Sequence, residues 1–226
     1  VPLLAELQSR LSIPVTVGHD VRAAGLAESR LGAAQDVDDF TLIPIGTGMA
    51  AAIVSASGAV RGALGAAGEI GHIPIVQGGE LCTCGQRGCL EVYVSGAGVA
   101  RRYAARAGGN LSSREIVARL GSDADADAVW DEAARALAQG LATVTLLLDP
   151  AVIVLGGGFS QAGAALLHPV TRYLDELLVW RGAPDVVLSR LGGDAGRVGA
   201  ALLAFACVDR LEVADTWVLD AERVPL

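Results

Sequence analysis

The sequence of 226 residues contains no lysine, and all 17 of its basic residues are Arg. The sequence also contains 25 acidic residues, so the formal net charge is −8. A surface this acidic disfavours non-specific binding to phosphate backbones, and no nucleic-acid-binding module is visible. We therefore expect no nucleic-acid contact by this segment.

Long apolar runs are also missing. A membrane-spanning helix needs ~18 consecutive apolar residues, whereas the nearest candidate, at 141–148, is short and ends at Asp149-Pro150. No signal peptide is visible, and the chain begins at Val1 rather than Met, which indicates a fragment or a trimmed chain. We expect no membrane partner and a location in the cytoplasm.

Aromatic residues make up only 4% of the chain, whereas hydrophobic residues make up 52%. The core is therefore expected to pack through small side chains and close backbone contacts. Strand patterns alternate with helix patterns, which predicts an α/β fold. Strands are predicted at 14–17, 39–45, 50–55, 59–61, 73–76, 151–155 and 185–188. Helices are predicted at 3–11, 21–31, 160–178 and 195–208, with others starting at Ser95, Ser112 and Ser122 or Asp123. In the tail, 216–219 has a strand pattern.

Three of the four Cys residues cluster in the sequence, downstream of a His. The candidate metal ligands are His72, Cys82, Cys84 and Cys89. Three thiolates and one imidazole complete a tetrahedral zinc shell with no open position, which is typical of a structural site. The alternative is free or disulfide-bonded Cys, although Cys82 and Cys84 are too close for an easy mutual disulfide. The pattern predicts structural Zn²⁺, and it fits a reducing compartment.

The segment around these ligands reads Gly68-Glu69-Ile70-Gly71-His72, followed by Cys82-Thr83-Cys84-Gly85-Gln86-Arg87-Gly88-Cys89-Leu90-Glu91. It resembles the central signature of the ROK family of sugar kinases and sugar-responsive repressors. Further motifs follow the family order: His19-Asp20, Ala27-Glu28, Ile45-Gly46-Thr47-Gly48, Leu155-Gly156-Gly157-Gly158 and Gly199-Ala200-Ala201. One glycine motif alone is weak evidence, but this ordered set spans about residues 3–205.

The resemblance implies an actin-like ATPase (ribonuclease H-like) fold, with two α/β lobes closing over a cleft for ATP and sugar. It assigns 1–20 to the small N-terminal lobe, 21–192 to the large lobe, 193–209 to a helix returning to the small lobe, and 210–226 to a tail. The family's first phosphate-binding motif, an Asp-x-Gly-Gly-Thr hairpin, would lie upstream of Val1. With the first part of the N-terminal lobe missing, we expect the fragment itself to be inactive.

Asp20 matches the family's catalytic base, a carboxylate that must reach the attacking sugar hydroxyl. On the residues alone, a helix N-cap is the more common use of such an Asp. The resemblance implies substrate binding by His19, Glu69, His72 and Glu91, whereas solvated surface charge is the simpler interpretation of both Glu residues. It implies nucleotide binding at two turns, Gly46, Thr47 and Gly48, and Gly156, Gly157 and Gly158. Glycine is also common in turns that bind nothing.

Two departures from the kinase pattern stand beside these motifs. His19 replaces the Asn that usually precedes the catalytic Asp, and a His-Asp pair is associated with repressor members. Ala50 and Ala52 replace glycines, and their methyl groups would crowd bound phosphates.

Two hypotheses follow. One is a glucokinase-like hexose kinase that uses ATP with Mg²⁺, and the other is a sugar-sensing effector domain of a transcriptional repressor. We favour the kinase, because Asp20 and both nucleotide turns are present. The expected partners are a hexose or N-acetylated hexose, ATP, and further copies of the chain in a homodimer or homotetramer.

Overall fold

A five-stranded mixed sheet forms the centre of the computed structural model, which describes residues 2–217. Its strands are β1 (Phe40–Pro44), β2 (Ala52–Ser55), β3 (Gly58–Ala59), β4 (Val152–Gly156) and β5 (Asp185–Leu188). The order across the sheet is β3-β2-β1-β4-β5. Strands β1, β4 and β5 are parallel, whereas β2 and β3 add an antiparallel hairpin to β1. The predicted α/β class is confirmed.

Helices cover both faces of this sheet. The α-helices within residues 2–217 are α1 (Leu3–Arg10), α2 (Asp20–Leu31), α3 (Leu90–Tyr93), α4 (Gly96–Ala107), α5 (Ser113–Val117), α6 (Ala124–Leu148), α7 (Ala164–Leu177) and α8 (Ala195–Ala206). Short 3-10 turns occur at Ile70–His72, Gly158–Ala162, Gly192–Asp194 and Leu211–Thr216. None of these helices combines the length and the apolar character that crossing a bilayer requires.

The side chains of β1 alternate between the two faces of the sheet, as the period of a strand requires. Phe40 and Leu42 pack in a core with Leu202 of α8. Ile43 packs on the opposite face with Leu141 of α6. None of these five side chains is more than 1% exposed. Helices therefore shield both faces of β1, and the ends of the parallel strands are the place left for a ligand.

Helices α2 and α8 contact each other through their backbones. A Cβ atom at Gly199 of α8 would lie only 1.9 Å from the carbonyl oxygen of Ala23 in α2. A side chain at position 199 would therefore force the two helices apart. This contact is the kind of small-residue packing that the low aromatic content predicted.

Helix α6 starts and ends at local signals. The Asp123 side chain caps it by accepting hydrogen bonds from the amides of Asp125 and Ala126, and Asp149 ends it with a positive φ of 46°. One face of this helix is buried at Val129, Ala133, Ala136, Gly140 and Val144. Leu148, the next residue along that face, is 39% exposed, because the helix ends there.

Three element predictions are wrong. The segment at 14–17 forms no strand, because no other described strand lies beside it. The segment at 73–76 makes only a single bridge, between Pro74 and Cys89. The helix predicted at 160–178 is divided at Gly163, where φ is 59°, into a 3-10 turn and α7.

The C-terminal strand pattern is only partly covered by the structure. Thr216 lies in a 3-10 helix, so the pattern fails there, whereas 218–219 lies outside the described residues. The division of the chain into lobes stays a prediction.

Candidate functional site

A cleft of about 520 Å³ opens where the parallel strands end. Gly46 lies two residues after β1, and Gly157 and Ser189 directly follow β4 and β5. All three line the cleft. In open α/β sheets, ligands bind in the crevice beyond the carboxyl ends of the strands, so this cleft is the first candidate for a functional site.

The cleft brings together most of the residues singled out from the sequence. Its lining includes His19, Asp20, Glu69, His72, Glu91, Gly46, Gly48, Gly156 and Gly157. Two predicted nucleotide-binding residues, Thr47 and Gly158, are not part of that lining. A catalytic base at Asp20 has to share a pocket with the residues predicted to bind the sugar, and Asp20 lines the same cleft as Glu69, His72 and Glu91. The roles of the individual residues stay predictions.

Asp20 is the first residue of α2, and its side chain is 89% exposed. The N-cap position belongs to His19, so Asp20 does not occupy the capping position suggested as the alternative. The Asp20 Oδ1 atom accepts a hydrogen bond from the Val21 amide at 2.8 Å. The buried Nδ1 of His19 lies 3.3 Å from the same oxygen, without hydrogen-bond geometry. The second carboxylate oxygen of Asp20 is thus available to a ligand.

Glu91 lies on α3 between the Cys cluster and the first glycine turn, and its side chain is 16% exposed. Its Oε1 accepts a hydrogen bond from the Cys82 thiol at 3.1 Å and lies 3.7 Å from His72 Nδ1. A Cβ atom at Gly48 would lie 3.8 Å from its Oε2. This carboxylate therefore borders both the candidate metal cluster and a candidate phosphate turn.

Arg102 holds the C-terminal end of α3. Its guanidinium donates to the carbonyl oxygens of Val92 and Tyr93 at 3.4 and 3.1 Å, and it lies 5.1 Å from the centre of the Tyr93 ring. Burial lowers the pKa of Arg102 from its ordinary value. A cation at the C-terminal end of a helix satisfies carbonyls that the helix leaves open. The role of Arg102 was not predicted from the sequence, since nothing local marks its partner ten positions away.

The four predicted metal ligands converge on one point. One ligand atom from each of His72, Cys82, Cys84 and Cys89 lies within 4.8 Å of all the others. The Cys84 and Cys89 sulfurs are 3.7 Å apart, and Cys82 Sγ is 3.8 Å from His72 Nδ1. Ligands about 2.3 Å from a tetrahedral zinc ion are roughly 3.8 Å from one another. The donor set and its spacing therefore fit Zn²⁺.

Tight turns bring these ligands together. Gly85 and Gly88 have φ values of 93° and 81°, which favour glycine. A Cβ atom at Gly88 would lie 1.8 Å from the Val76 carbonyl oxygen, so no larger residue fits. The Cys82 amide closes the turn by donating to the Gln86 carbonyl at 2.8 Å.

The thiols of the cluster have divergent acidities. Burial raises the pKa of Cys82, and burial next to two other thiols raises the pKa of Cys89 to about 12. The pKa of the exposed Cys84 is lowered, chiefly because its sulfur accepts a hydrogen bond from the Gln86 backbone. Three ionised thiols this close repel each other, so a divalent cation is what allows all of them to bind as thiolates.

One wall of the cleft was not predicted from the sequence. Ser189, Gly192 and Gly193 line it, together with Ala195 and Gly196 at the start of α8. The signal that would have found this wall is a glycine pair just after a parallel strand and just before a helix, a common place for a ligand.

Comparison with known proteins identifies relatives over most of the chain. The chain is 34% identical to a glucokinase of Streptomyces coelicolor over 225 residues, which covers 90% of this chain and 71% of the glucokinase. Its structure is similar to that of a ROK family glucokinase from Streptomyces griseus in complex with glucose and AMPPNP. The TM-score is 0.81 at 35% identity, covering 91% of this chain and 72% of the other.

A regulator has a similar structure as well. A ROK family transcriptional regulator, a homologue of the E. coli MLC protein, has a TM-score of 0.81 at 33% identity. The similarity covers 93% of this chain and 57% of the regulator. The fold shared with these structures is the actin-like ATPase fold, as predicted. The family model described as "ROK family" matches residues 1–206, and the chain belongs to the ROK family.

Proposed function

We propose that this protein catalyses the ATP-dependent phosphorylation of a hexose, with Asp20 as the general base. The observation that carries the proposal is the shared cleft, in which an exposed carboxylate faces two further carboxylates, an imidazole and two glycine turns. Phosphoryl transfer to an alcohol needs such a carboxylate near the attacking hydroxyl, and positioning supplies most of the rest. The glucokinase relatives support this reaction.

The sugar is proposed to bind against Glu69, His72 and Glu91. Carboxylate oxygens accept hydrogen bonds from hydroxyl groups, so two Glu side chains suit a polyol such as a hexose or an N-acetylated hexose. Because His72 Nδ1 lies among the Cys sulfurs, Nε2 is the ring nitrogen left to contact a sugar hydroxyl. Zinc, when bound, fixes the orientation of this imidazole and of the loop that carries it.

The nucleotide is proposed to lie along the glycine turns. Gly46 and Gly48 leave space for phosphates close to the backbone, and Gly156 and Gly157 lie where the adenosine is expected. Thr47 and Gly158 belong to these turns, but they lie outside the cleft lining. No Arg is among the described residues that line the cleft, so the phosphate charge requires a counter-cation. ATP is therefore expected to bind with Mg²⁺.

Asp20 is proposed to act at the moment of transfer. Its carboxylate takes the proton of the attacking sugar hydroxyl, whose oxygen forms the bond to the γ-phosphorus of ATP. The bond from that phosphorus to the bridging oxygen breaks, and ADP leaves with the electron pair. His19, whose buried Nδ1 lies 3.3 Å from the Asp20 carboxylate, is proposed to orient it and to contact the sugar.

The test is the Asp20→Ala variant of the intact protein in an assay that couples ADP formation to NADH oxidation. Loss of the base is expected to lower kcat roughly 100- to 10,000-fold, while the dissociation constant for the hexose changes little. Asp38→Ala, which removes an exposed carboxylate outside the cleft, is the matched control and should behave as wild type. Equal loss of sugar binding and turnover in Asp20→Ala would contradict the assignment of the base.

A second candidate function is a sugar-sensing effector domain of a transcriptional repressor, without kinase activity. Three observations favour it. His19 stands before Asp20, and the ROK family transcriptional regulator is as similar in fold as the glucokinase. In addition, Ala50, which lines the cleft, would crowd bound phosphates. Hexose binding by calorimetry, without ADP formation from any hexose, would establish this function in place of the first.

An apolar surface supports self-association. Leu147 near the end of α6, and Val179 and Trp180 after α7, are 77%, 89% and 70% exposed. An ion pair between Asp149 and Arg181 brings these two segments together. Exposed apolar groups that form one patch are typical of a protein–protein contact. We propose that the chain forms a homodimer or homotetramer, and light scattering that finds only monomer at micromolar concentration would refute this.

A further inference from the structure

Glu28 is a fully buried acidic residue, with an exposed fraction of 0%. It lies on α2, eight residues after the proposed base. Its side chain turns back over the end of the helix, where a Cβ atom at Gly32 would lie 2.0 Å from its Oε2. Acidic side chains are almost never fully buried unless other groups satisfy them, so the partners of Glu28 indicate why it is there.

Three donors surround the Glu28 carboxylate. The Ala33 amide donates to Oε2 at 2.7 Å, which closes the end of α2. The Leu191 amide donates to Oε1 at 3.2 Å, and the Ser189 hydroxyl donates to the same oxygen. Two of the three donors therefore belong to the segment between β5 and α8, more than 160 positions away in the sequence.

Ser189 extends this arrangement into the cleft. While its hydroxyl donates to Glu28, its oxygen accepts a hydrogen bond from the Gly192 amide at 2.8 Å. Gly192 has a φ of 52° and lines the cleft, as does Ser189. The chain of hydrogen bonds thus runs from the buried carboxylate to the turn that forms the cleft wall.

This wall lies on the nucleotide side of the cleft. The Ser189 amide donates to the Leu155 carbonyl at 2.8 Å, and a Cβ atom at Gly156 would lie 3.5 Å from the Ser189 Cβ. The turn held by Glu28 is therefore next to the glycine turn at which the adenosine is proposed to bind. Glu69, His72 and Glu91, on the proposed sugar side, make no contact with Glu28 within the described hydrogen-bond network.

We propose that Glu28 is a positioning residue that holds the Ser189–Gly192 turn in the arrangement that receives the nucleotide. The proposal rests on the proposed kinase function. The same helix, α2, carries Asp20 at its first residue and Glu28 near its end. It therefore connects the proposed base to the turn that Glu28 holds. Glu28 touches neither substrate, and its effect is exerted through the turn.

Glutamine cannot replace Glu28 without a conflict. Every donor around the carboxylate needs an acceptor, and an amide offers only one oxygen. If the amide NH₂ faces the Ala33 amide, two donors meet there. If the NH₂ group faces Ser189 and Leu191 instead, it lies against the Leu191 amide, which is also a donor, and the Ser189 hydroxyl loses its acceptor. A buried donor left without an acceptor destabilises the arrangement it belongs to.

The experiment compares Glu28→Gln and Gly32→Ala with wild type in the intact protein. Gly32→Ala places a methyl group where the Glu28 carboxylate lies and leaves the carboxylate itself unchanged. Both variants are expected to raise KM for ATP roughly tenfold, the loss that one unsatisfied buried donor causes. The KM for hexose and kcat should change less than twofold. Amide hydrogen exchange should become faster at Leu191 and Gly192.

Asp123→Asn is the matched control, because Asp123 also accepts three hydrogen bonds but lies outside the cleft. It is expected to lower Tm without a change in KM for ATP. Unchanged exchange at Leu191 and Gly192 in Glu28→Gln would overturn the proposal, as would an equal rise of both KM values. If wild type forms no ADP, the kinase function fails separately, and exchange at these two amides alone decides whether Glu28 holds the turn.

Discussion

Removal of zinc offers the sharpest test of the site. The perturbation is a chelator added to the intact protein, and its genetic counterpart is Cys84→Ser. Cys84 is exposed, so its replacement disturbs little packing, whereas Cys82 and Cys89 are buried. Cys207→Ser is the matched control, because Cys207 is also exposed but lies outside the cluster.

The size of the effect follows from the closed ligand shell. Four candidate ligands converge within 4.8 Å, and they converge only in the folded chain, so zinc would bind the native state in preference to the unfolded one. At a free zinc concentration about 1,000 times the dissociation constant, binding adds about 4 kcal/mol to the free energy of unfolding. For a chain of this length, each kcal/mol corresponds to roughly 2–4 °C in Tm. Chelation is therefore expected to lower Tm by on the order of 8–16 °C.

The assay is thermal unfolding of wild type, Cys84→Ser and Cys207→Ser, each with and without chelator. Wild type and Cys207→Ser should lose stability on chelation, whereas Cys84→Ser should start low and change little. Because His72 lies in both the cluster and the cleft, chelation should also raise KM for hexose more than KM for ATP. Wild type purified without stoichiometric zinc, and with a Tm indifferent to chelator, would refute the reasoning.

Two further substitutions test other parts of the structure. Gly157→Ala places a Cβ atom 2.4 Å from the Ile45 carbonyl oxygen at a φ of 77°, so it should cost about 1–3 kcal/mol of stability and raise KM for ATP, as denaturant unfolding and kinetics will show. Tyr103→Phe removes the 2.6 Å hydrogen bond to Asp123 that lowers the pKa of that carboxyl below 3.8 and raises the pKa of Tyr103 above 10.0. The hydrogen bond therefore stabilises the fold at pH values between 3.8 and 10.0. This stabilisation is lost as the pH falls below 3.8 and Asp123 is protonated, or as it rises above 10.0 and Tyr103 ionises. The Tm deficit of Tyr103→Phe against wild type should be largest near neutral pH and should shrink at both extremes, whereas a deficit that does not vary with pH would contradict the assignment.

Local signals predicted much of the fold. Ser112 and Glu115 form the capping box that starts α5, and Asp123 caps α6 as expected. The strand predicted at 185–188 is β5, with the same bounds. In each case a few neighbouring side chains decide the backbone conformation, so the sequence contains what is needed. The convergence of the four candidate metal ligands was predicted for the same reason, because the spacing of their residue types is itself the signal.

Features that depend on distant partners were not predicted. The segment at 14–17 has the composition of a strand but no neighbouring strand among those described, and strand pairing is not a local property. The burial and the hydrogen bonds of Glu28 were not predicted, because its partner Ser189 is 161 positions away. Gly192 and Gly193 line the cleft only because β5 ends beside β4, which the order of strands in the sheet decides.

Different interactions hold the two sides of the cleft in place. This difference matters because it allows one fold to serve either of the two proposed functions. On the proposed sugar side, zinc in the candidate cluster would orient His72, and Glu91 contacts Cys82 of that cluster. On the proposed nucleotide side, Glu28 holds the turn after β5 through hydrogen bonds alone. A change in the Glu28 network therefore leaves the cluster that holds His72 intact, since the two arrangements share no side chain. Sugar binding can thus persist in a chain whose nucleotide side has changed, as the second proposed function requires.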